Sequence, residues 1–383
     1  MERIAGSSID QEKRASSVGN NMMTESRNSI SHEATHATEL NRMDDPSIIL
    51  RPLVSVVIPS MNALHVLRRC LKSLNRQDYQ NIEIIVVDNA STDGTTEQVG
   101  KEFPDVRILR SEENLGYSGG CEMGVSASRG TYIVFCDSDT RVTTRSIVEL
   151  VKVLGEAPTA GIAQSKMLLG SDPSRIESMG GFFTSTGILY QEERDSLDIP
   201  ANVDPHEIFG AKGAFMMLRR DLYFELGGFD TDFVVDFEDT DLCWRAWQAG
   251  YRVLVVPRSV VYHDGSITKN QHFNSFFIYH ASKNRICTLI KNLDPRDMIR
   301  VLPLHLLITF AGMLLLLFTM RFSGAYALVR ALHWNATHLG STLEKRKRLR
   351  ANPSGAAANP MPHLRKEMPL SYLVSSGRAF LKI

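Results

Sequence analysis

This sequence has little of what marks several common protein classes. Its formal net charge is zero, so no global field draws it to nucleic acid, and none is expected as a partner. Its five cysteines (Cys70, Cys121, Cys136, Cys243, Cys287) are odd in number, widely spaced and never arranged C-x-x-C. That pattern excludes a disulfide framework or a zinc ribbon and predicts small buried hydrophobes in a reducing compartment. The N-terminus lacks the apolar core of a signal peptide, so secretion is not expected. No G-x-G-x-x-G follows either of the first two predicted strands, which disfavours a dinucleotide-dependent dehydrogenase.

What remains is globular. With 383 residues, 43% hydrophobic and 22% charged, the chain can bury a sizeable core, as two ordinary domains or one large domain with appendages. Residues 1–50 are rich in Ser, Asn, Thr, Glu and His without a sustained period, which predicts a disordered leader. At Val54 the character changes. Val54-Ser-Val-Val-Ile-Pro59, Ile82-Glu-Ile-Ile-Val-Val87, Val106-Arg-Ile-Leu109 and Thr131–Cys136 are apolar runs without alternation, as expected of parallel strands covered on both faces. Leu64, Leu67, Leu71 and Leu74 recur at helical spacing, and helical patterns fall at Thr95–Glu102 and Gly120–Ala127. This alternation predicts βαβ units in a doubly wound, mostly parallel α/β sheet. Further strands are expected at Ala214–Leu218 and Val253–Val256, and a helix over Leu242–Ala249. The glycine-rich stretch 155–235 is expected to shape an acceptor cleft instead of extending the nucleotide-binding unit.

Chemistry gathers where strands end. In Thr131-Tyr-Ile-Val-Phe-Cys-Asp-Ser-Asp139 a buried strand runs into two carboxylates. Ligands of open α/β sheets bind at the carboxyl ends of strands, and two oxygen ligands on a short turn suit Mg²⁺ or Mn²⁺ carrying a diphosphate. Turns also favour Asp and Ser for their own sake. Asp88, ending the second strand, suits hydrogen bonds from a base or ribose, or simply caps its turn. Asn114-Leu-Gly-Tyr-Ser-Gly-Gly120 suits phosphate oxygens, or a plain tight turn. Glu238, Asp239 and Asp241 open a helix; a cap needs fewer carboxylates than three, and a partly desolvated one serves as a general base. His263, after the strand at 253–256, is placed to be a third cation ligand or a satisfied polar residue.

In order, the pieces Val-Ser-Val-Val-Ile-Pro59 with Asn62, Val-Val-Asp88-Asn-Ala-Ser-Thr-Asp93-Gly, Asn114-Leu-Gly116, Asp137-Ser-Asp139, Gly227-Gly-Phe-Asp230 and Glu238-Asp239-x-Asp241-Leu resemble a family 2 glycosyltransferase of the GT-A fold, closest in flavour to rhamnosyltransferase-like members. The resemblance covers about residues 53–290. It implies that Asp88 contacts the base, Asp137 the ribose side, and that Asp139 ligates the cation, with His263 as an extra ligand. It implies that the Glu238–Asp239 pair supplies the base, Asp239 above all, and that Pro59, Asn62, Asn114, Gly116 and Asp241 belong to the substrate site. It further implies an inverting transfer from a nucleotide-sugar donor to a glycan or lipid-linked acceptor in cell-surface polysaccharide synthesis. Two departures are Glu122, where many relatives have Asn, and Met61, where an aromatic residue is frequent; either would alter donor fit.

Two rival functions are weighed against this one. A nucleotidyltransferase needs a glycine-rich loop with a basic residue after the first strand, and Ser60-Met-Asn-Ala63 is not that. A catalytically inactive sugar-nucleotide-binding protein has no use for a general base.

Val301–Met320 carries no acidic or permanently charged side chain, although Pro303 and His305 interrupt it. Arg300 and Arg321 flank it, and from Arg321 onward 11 Lys/Arg face 2 Asp/Glu, including Lys345-Arg-Lys-Arg348. Basic residues on both sides argue against a single crossing. A re-entrant hairpin returning over Phe322–Leu332, an interfacial helix, or a buried core helix are the alternatives. The expected placement is on the cytoplasmic face of the cell membrane. The expected boundaries are 1–50, 51–295, 296–350 and 351–383, the last without an assigned role.

Overall fold

In chain order the elements begin β1 (Val54–Ser60), α1 (Leu64–Leu74), β2 (Ile82–Asn89), α2 (Thr95–Glu102), β3 (Arg107–Ser111), α3 (Gly116–Ser126) and β4 (Tyr132–Cys136). These come from a computed structural model that describes residues 51–191, 193–199, 203–265, 275–351 and 367. The expected leader over 1–50 and nearly all of 351–383 lie outside the described residues. Next come β5 (Thr140–Val142), α4 (Ser146–Glu156), β6 (Ala160–Leu169), β7 (Ile176–Ser178), β8 (Gly181–Phe183), β9 (Leu189–Gln191), β10 (His206–Glu207), β11 (Phe215–Arg219) and α5 (Arg220–Glu225). The chain continues through α6 (Glu238–Gln248), β12 (Arg252–His263), α7 (Ser275–Asn292), α8 (Pro295–Phe318), α9 (Phe322–Thr337) and α10 (Leu339–Ala351). Residues from Leu53 onward form one compact unit, C-terminal helices included.

One sheet dominates, in the order β10-β12-β6-β11-β4-β1-β2-β3. β1 pairs in parallel with both β2 and β4, and β2 with β3. β11 is the antiparallel insertion between β4 and β6, and β6 and β12 run parallel again. Covering on both faces explains the unbroken apolar strands. Val54, Val56 and Ile58 join one core with Leu67, Leu71 and Ile147, while Val57 joins the other with Ile133, Phe135 and Leu242. Each such side chain contributes roughly 1.5–3 kcal/mol on burial.

Residues 155–235 do not stand apart as an acceptor cleft alone, because β6 and β11 extend the same sheet. The run was hidden by Gln164 and Ser165, polar yet fully buried. Gln164 accepts the Lys212 N–H at 2.7 Å, and Ser165 shares a hydrogen bond with Ser259 at 2.6 Å. Those pairings remove the cost of burying them.

α8 is long and apolar enough to cross a membrane, and 17% of its most apolar stretch is buried. A core helix would be covered, so that alternative is set aside for α8. The helix runs through Pro303 without a break. α9 turns back and packs on α8 and α7. Ile299, Leu307, Phe310, Phe318, Met320 and Tyr326 stay exposed. The basic run is only partly free for a surface. Lys345 pairs with Asp230 and Asp232, and Arg346 donates to the Ile290 carbonyl at 2.7 Å.

Candidate active site

The carboxyl ends of β1, β2 and β4 open into a cleft of about 430 Å³. Pro59, Asn62, Asn114, Gly116, Asp137, Asp139, Glu238, Asp239 and His263 all line it. Residues 59 and 263 are thus brought together by sheet order alone.

The Asp137–Asp139 turn is fixed at both ends. The Asp137 N–H donates to the Ala214 carbonyl at 3.0 Å and the Thr140 N–H to the Asp137 carbonyl at 3.0 Å. β12 pairs antiparallel with β5 so that His263 stands opposite Thr140. Its Nε2 therefore lies 3.4 Å from Asp137 Oδ2 and 3.2 Å from Asp139 Oδ1. On the other side of the ring, Nδ1 lies 2.7 Å from Glu177 Oε2. Glu177 is buried, which raises its pKa, but His263 and Lys212 outweigh burial and hold it well below the usual carboxylate range. An ionised Glu177 makes Nδ1 the donor, and Nε2 is aimed at the two aspartates as a buried atom without a hydrogen bond. Burial and Lys212 lower the imidazole pKa, yet the carboxylates of Asp137, Asp139 and Glu177 prevail and hold it well above its ordinary value. The surroundings favour positive charge at that point.

Among the described residues, Asp137, Asp139 and His263 form a group whose ligand atoms lie within 4.8 Å of one another. An orphaned imidazole nitrogen beside two carboxylates, with its other nitrogen oriented by a buried glutamate, fits a divalent cation.

Across the cleft stand Glu238 and Asp239, the first residues of α6. Asp239 Oδ2 accepts the Gly213 N–H at 2.8 Å, and Oδ1 accepts the Thr240 N–H at 2.5 Å. Burial raises the pKa of Asp239 and these N–H groups pull it back, leaving it above its ordinary value. Burial, then the charges of Asp239 and Asp236, push Glu238 well above the usual carboxylate range. Of the two, Asp239 is the better hydrogen-bonded carboxylate. The backbone before them is strained: Asp236 and Phe237 both have φ of 73°. Two such residues cost about 1–3 kcal/mol each. Asn284 of α7 holds them, donating to the Val235 carbonyl at 2.9 Å and the Asp236 carbonyl at 2.6 Å.

Two residues expected at the substrate do not line this cleft. Asp88 is fully buried and accepts from the Ser91 N–H at 2.9 Å and from the Thr96 hydroxyl. The turn-capping role is the one the structure shows. Asp241 is fully buried too, bound to Arg245 at 2.9 Å, Lys291 at 2.9 Å and Asn292 at 2.8 Å. It faces away from the cleft because α6 turns it toward α7. Glu122 accepts the Phe229 N–H at 2.7 Å and the Tyr223 hydroxyl, so it secures the Gly227–Asp230 turn and does not line the cleft. Met61 does line the cleft and is 46% exposed.

Asn62 accepts the Thr92 N–H at 2.8 Å, and its own N–H donates to Ser91 at 2.9 Å, stitching two cleft loops together. Gly116 has φ of 70°, and a Cβ there would meet the Val234 carbonyl oxygen at 2.5 Å. The loop is thus fastened to the segment that leads into α6. Sequence reasoning missed Tyr117, whose hydroxyl donates to the Gly213 carbonyl at 3.0 Å, and also Lys212 and Glu177. Nothing in their neighbourhood marked them; sheet order places them.

A family profile described as "Glycosyl transferase family 2" matches residues 55–227. Residues 55–227 are a family 2 glycosyltransferase domain. The match ends before Glu238, Asp239 and His263, which this fold nevertheless brings to the same cleft. Relatives of this glycosyltransferase domain include protein y4gI of Sinorhizobium fredii, 28% identical over 234 residues, covering 57% of this chain and 25% of that protein. Glycosyltransferase GlyA of Streptococcus pneumoniae is 36% identical over 133 residues, 34% of this chain and 18% of its own length. The chain thus spans about a quarter or less of these two relatives. The N-acetylglucosaminyl-diphospho-decaprenol L-rhamnosyltransferase of Mycobacterium tuberculosis is 26% identical over 256 residues, 57% of this chain and 80% of that enzyme. In fold, the chain is similar to the mannosyltransferase PcManGT of Pyrobaculum calidifontis, solved with GDP-Man and Mn²⁺. The TM-score is 0.50 at 20% identity, over 87% of this chain and 88% of that one. It is also similar to TarS 1-349 of S. aureus with UDP-GlcNAc, with a TM-score of 0.52 at 17% identity over 78% and 83% of the two chains. The fold is GT-A.

Proposed function

We propose that the chain transfers a glycosyl group, with inversion, from a nucleoside-diphosphate sugar to a hydroxyl of a lipid-linked glycan in cell-surface polysaccharide synthesis. The observation that carries this reading is the meeting of Asp137, Asp139 and His263 with Glu238 and Asp239 in one cleft. A Mg²⁺ or Mn²⁺ ion held by Asp137, Asp139 and His263 would neutralise the charge that grows on the diphosphate leaving group.

The chain's own residues do the rest. Asp239 takes the proton of the acceptor hydroxyl as that oxygen attacks the anomeric carbon from the face opposite the diphosphate. The Gly213 and Thr240 N–H groups fix the direction of its carboxylate. Burial and the charges of Asp239 and Asp236 push Glu238 upward, which disfavours a second negative charge beside Asp239. Asn62, Asn114 and the loop at Gly116 wall the donor side. The acceptor reading draws on the relative whose name carries a diphospho-decaprenol substrate and on the exposed apolar hairpin of α8 and α9. That hairpin is read as seated in the cytoplasmic leaflet of the membrane without a full crossing.

A thermal-shift panel of nucleoside diphosphates and sugar nucleotides, with and without Mn²⁺, tests the donor and the cation together. One base family is expected to raise Tm only when Mn²⁺ is present. A panel with no stabilising nucleotide, under any metal condition, contradicts the function.

A further inference from the structure

A second cavity of about 200 Å³ adjoins the first. Lys212, Asp236 and Asp239 line both, so these three form the partition between them. A base that removes a proton from an attacking hydroxyl must face donor and acceptor at once, and Asp239 has a cavity on either side. The second volume falls below the ~300–1,000 Å³ typical of a whole drug-sized ligand. It is sized for one group of an acceptor, not a chain of sugars.

The charges of this cavity come from different walls. Its carboxylates, Asp236 and Asp239, belong to the shared partition. Two arginines belong to the second cavity alone: Arg194, from the turn after β9, and Arg285, from α7. The Arg285 guanidinium lies 5.0 Å over the Phe237 ring. Arg194 reaches Gln191 Oε1 at 3.3 Å on the cavity's other wall. Lys212, the third cation, is ion-paired with Glu177. Two guanidinium forks from separate elements suit a planar or tetrahedral oxyanion held bidentately.

The wall containing Arg194 is also tied to the exposed apolar helix. β8 and β9 form a hairpin whose tip carries Gly187. A Cβ on Gly187 would meet Val301 and His305 of α8 at 3.2 Å each, and His305 Nδ1 lies 3.0 Å from the Thr186 carbonyl oxygen. The arginine-bearing cavity and the apolar hairpin therefore share a wall.

We propose that the second cavity is the acceptor subsite, and that Arg194 and Arg285 hold a phosphate ester attached to the acceptor sugar. This rests on the reading of Asp239 as the base. A phosphate is favoured over other anions because the similar rhamnosyltransferase is named for a diphospho-linked substrate and because an apolar helix adjoins the cavity.

The test titrates full-length protein with N-acetylglucosamine 1-phosphate and with farnesyl diphosphate. Methyl N-acetylglucosaminide and farnesol are the uncharged controls. The donor cleft is first filled with the nucleoside diphosphate and Mn²⁺ chosen by the panel, so that phosphate cannot report from there. Charged ligands should bind and neutral ones should bind far more weakly. Arg285→Gln and the exposed-site variant Arg194→Gln should each weaken the charged ligands by about ten-fold or more, the scale of one hydrogen bond to a charged group. Arg285→Lys should fall between, keeping the charge and losing the fork. Binding of the sugar phosphate shows that the anion suffices; binding of the farnesyl ligand alone shows that the phosphate must be lipid-borne. Equal affinities in wild type and both Gln variants, or no binding of either charged ligand, overturn the proposal. If a panel finds no nucleotide, the function fails while the titration is still read on the free protein. If Asp239→Asn is inactive but the arginine variants bind normally, this inference alone fails.

Discussion

Asp239 and Glu238 are neighbours in the chain with different surroundings. Asp239 is held by two backbone N–H groups, whereas Glu238 has a buried Oε2 without a partner. Both carboxyls lie above their ordinary values. A base must be ionised to accept a proton, so the rate falls as pH drops through its pKa. The acid limb of the pH–rate profile should therefore lie above ~3.9, the unperturbed Asp value, and should vanish with whatever activity survives in Asp239→Asn. A limb at or below that value contradicts the assignment. Replacing Asp139 by Asn should cost more than general-base loss, because stabilising a charged leaving group is usually the larger effect. It should also abolish the Mn²⁺-dependent rise in Tm.

At the scale of elements, α6 is held in place by a buried ionic network. Lys291 of α7, 3% exposed, bridges Asp230 at 2.6 Å and Asp241 at 2.9 Å. Removing one partner of such a network typically costs about 3–5 kcal/mol, since it leaves buried charge uncompensated. Lys291→Met should lose stability on that scale by chemical denaturation; a change under about 1 kcal/mol would show the network to be incidental. Burial raises the pKa of Asp230, but Lys291 and Lys345 outweigh it and hold it well below the usual range. A depressed carboxylate stabilises the fold above its unfolded value of ~3.9 and loses that contribution as pH falls below it toward the folded value. In the wild type, stability should drop through this acid window more steeply than in Lys291→Met. At the first residue of α3, Gly116→Ala meets both a positive φ and the Val234 carbonyl. It should lose more than about 1 kcal/mol.

The elements also show what a sequence can disclose. β1, β2 and β4 were legible because uninterrupted apolar runs have one physical reading in a sheet covered on both faces. The Asp137–Asp139 turn was legible for the same reason, as the end of such a run. β6 was not, because Gln164 and Ser165 break its run and are rescued by partners far away in the chain. The resemblance implies a substrate role for Asp88 and Asp241, and its strand end suits Asp88 to a base, a ribose or a turn cap; the hydrogen bonds of both turn them inward. Glu177 and Lys212 carried no local signal; what matters about them is their position opposite His263, which no spacing encodes.

As a whole molecule, the protein joins the carboxylate-lined cleft to an exposed apolar hairpin through the β8–β9 wall. If α8 and α9 enter a leaflet, the expressed protein should sediment with membranes, stay there in high salt and be released by detergent. Quantitative release by salt would show an electrostatic attachment instead, through residues such as Lys347 and Arg348, which remain exposed.

The central claim is that carboxylates from β4 and α6, about a hundred residues apart, serve one donor. The most direct measurement pairs two readouts on Asp239→Asn: calorimetric binding of the selected nucleotide sugar with Mn²⁺, and release of nucleoside diphosphate in the presence of acceptor-bearing membranes. Donor binding should stay within a few-fold of wild type while release falls by ~10²–10⁴, the usual worth of general-base catalysis. Undiminished release from Asp239→Asn would contradict the account.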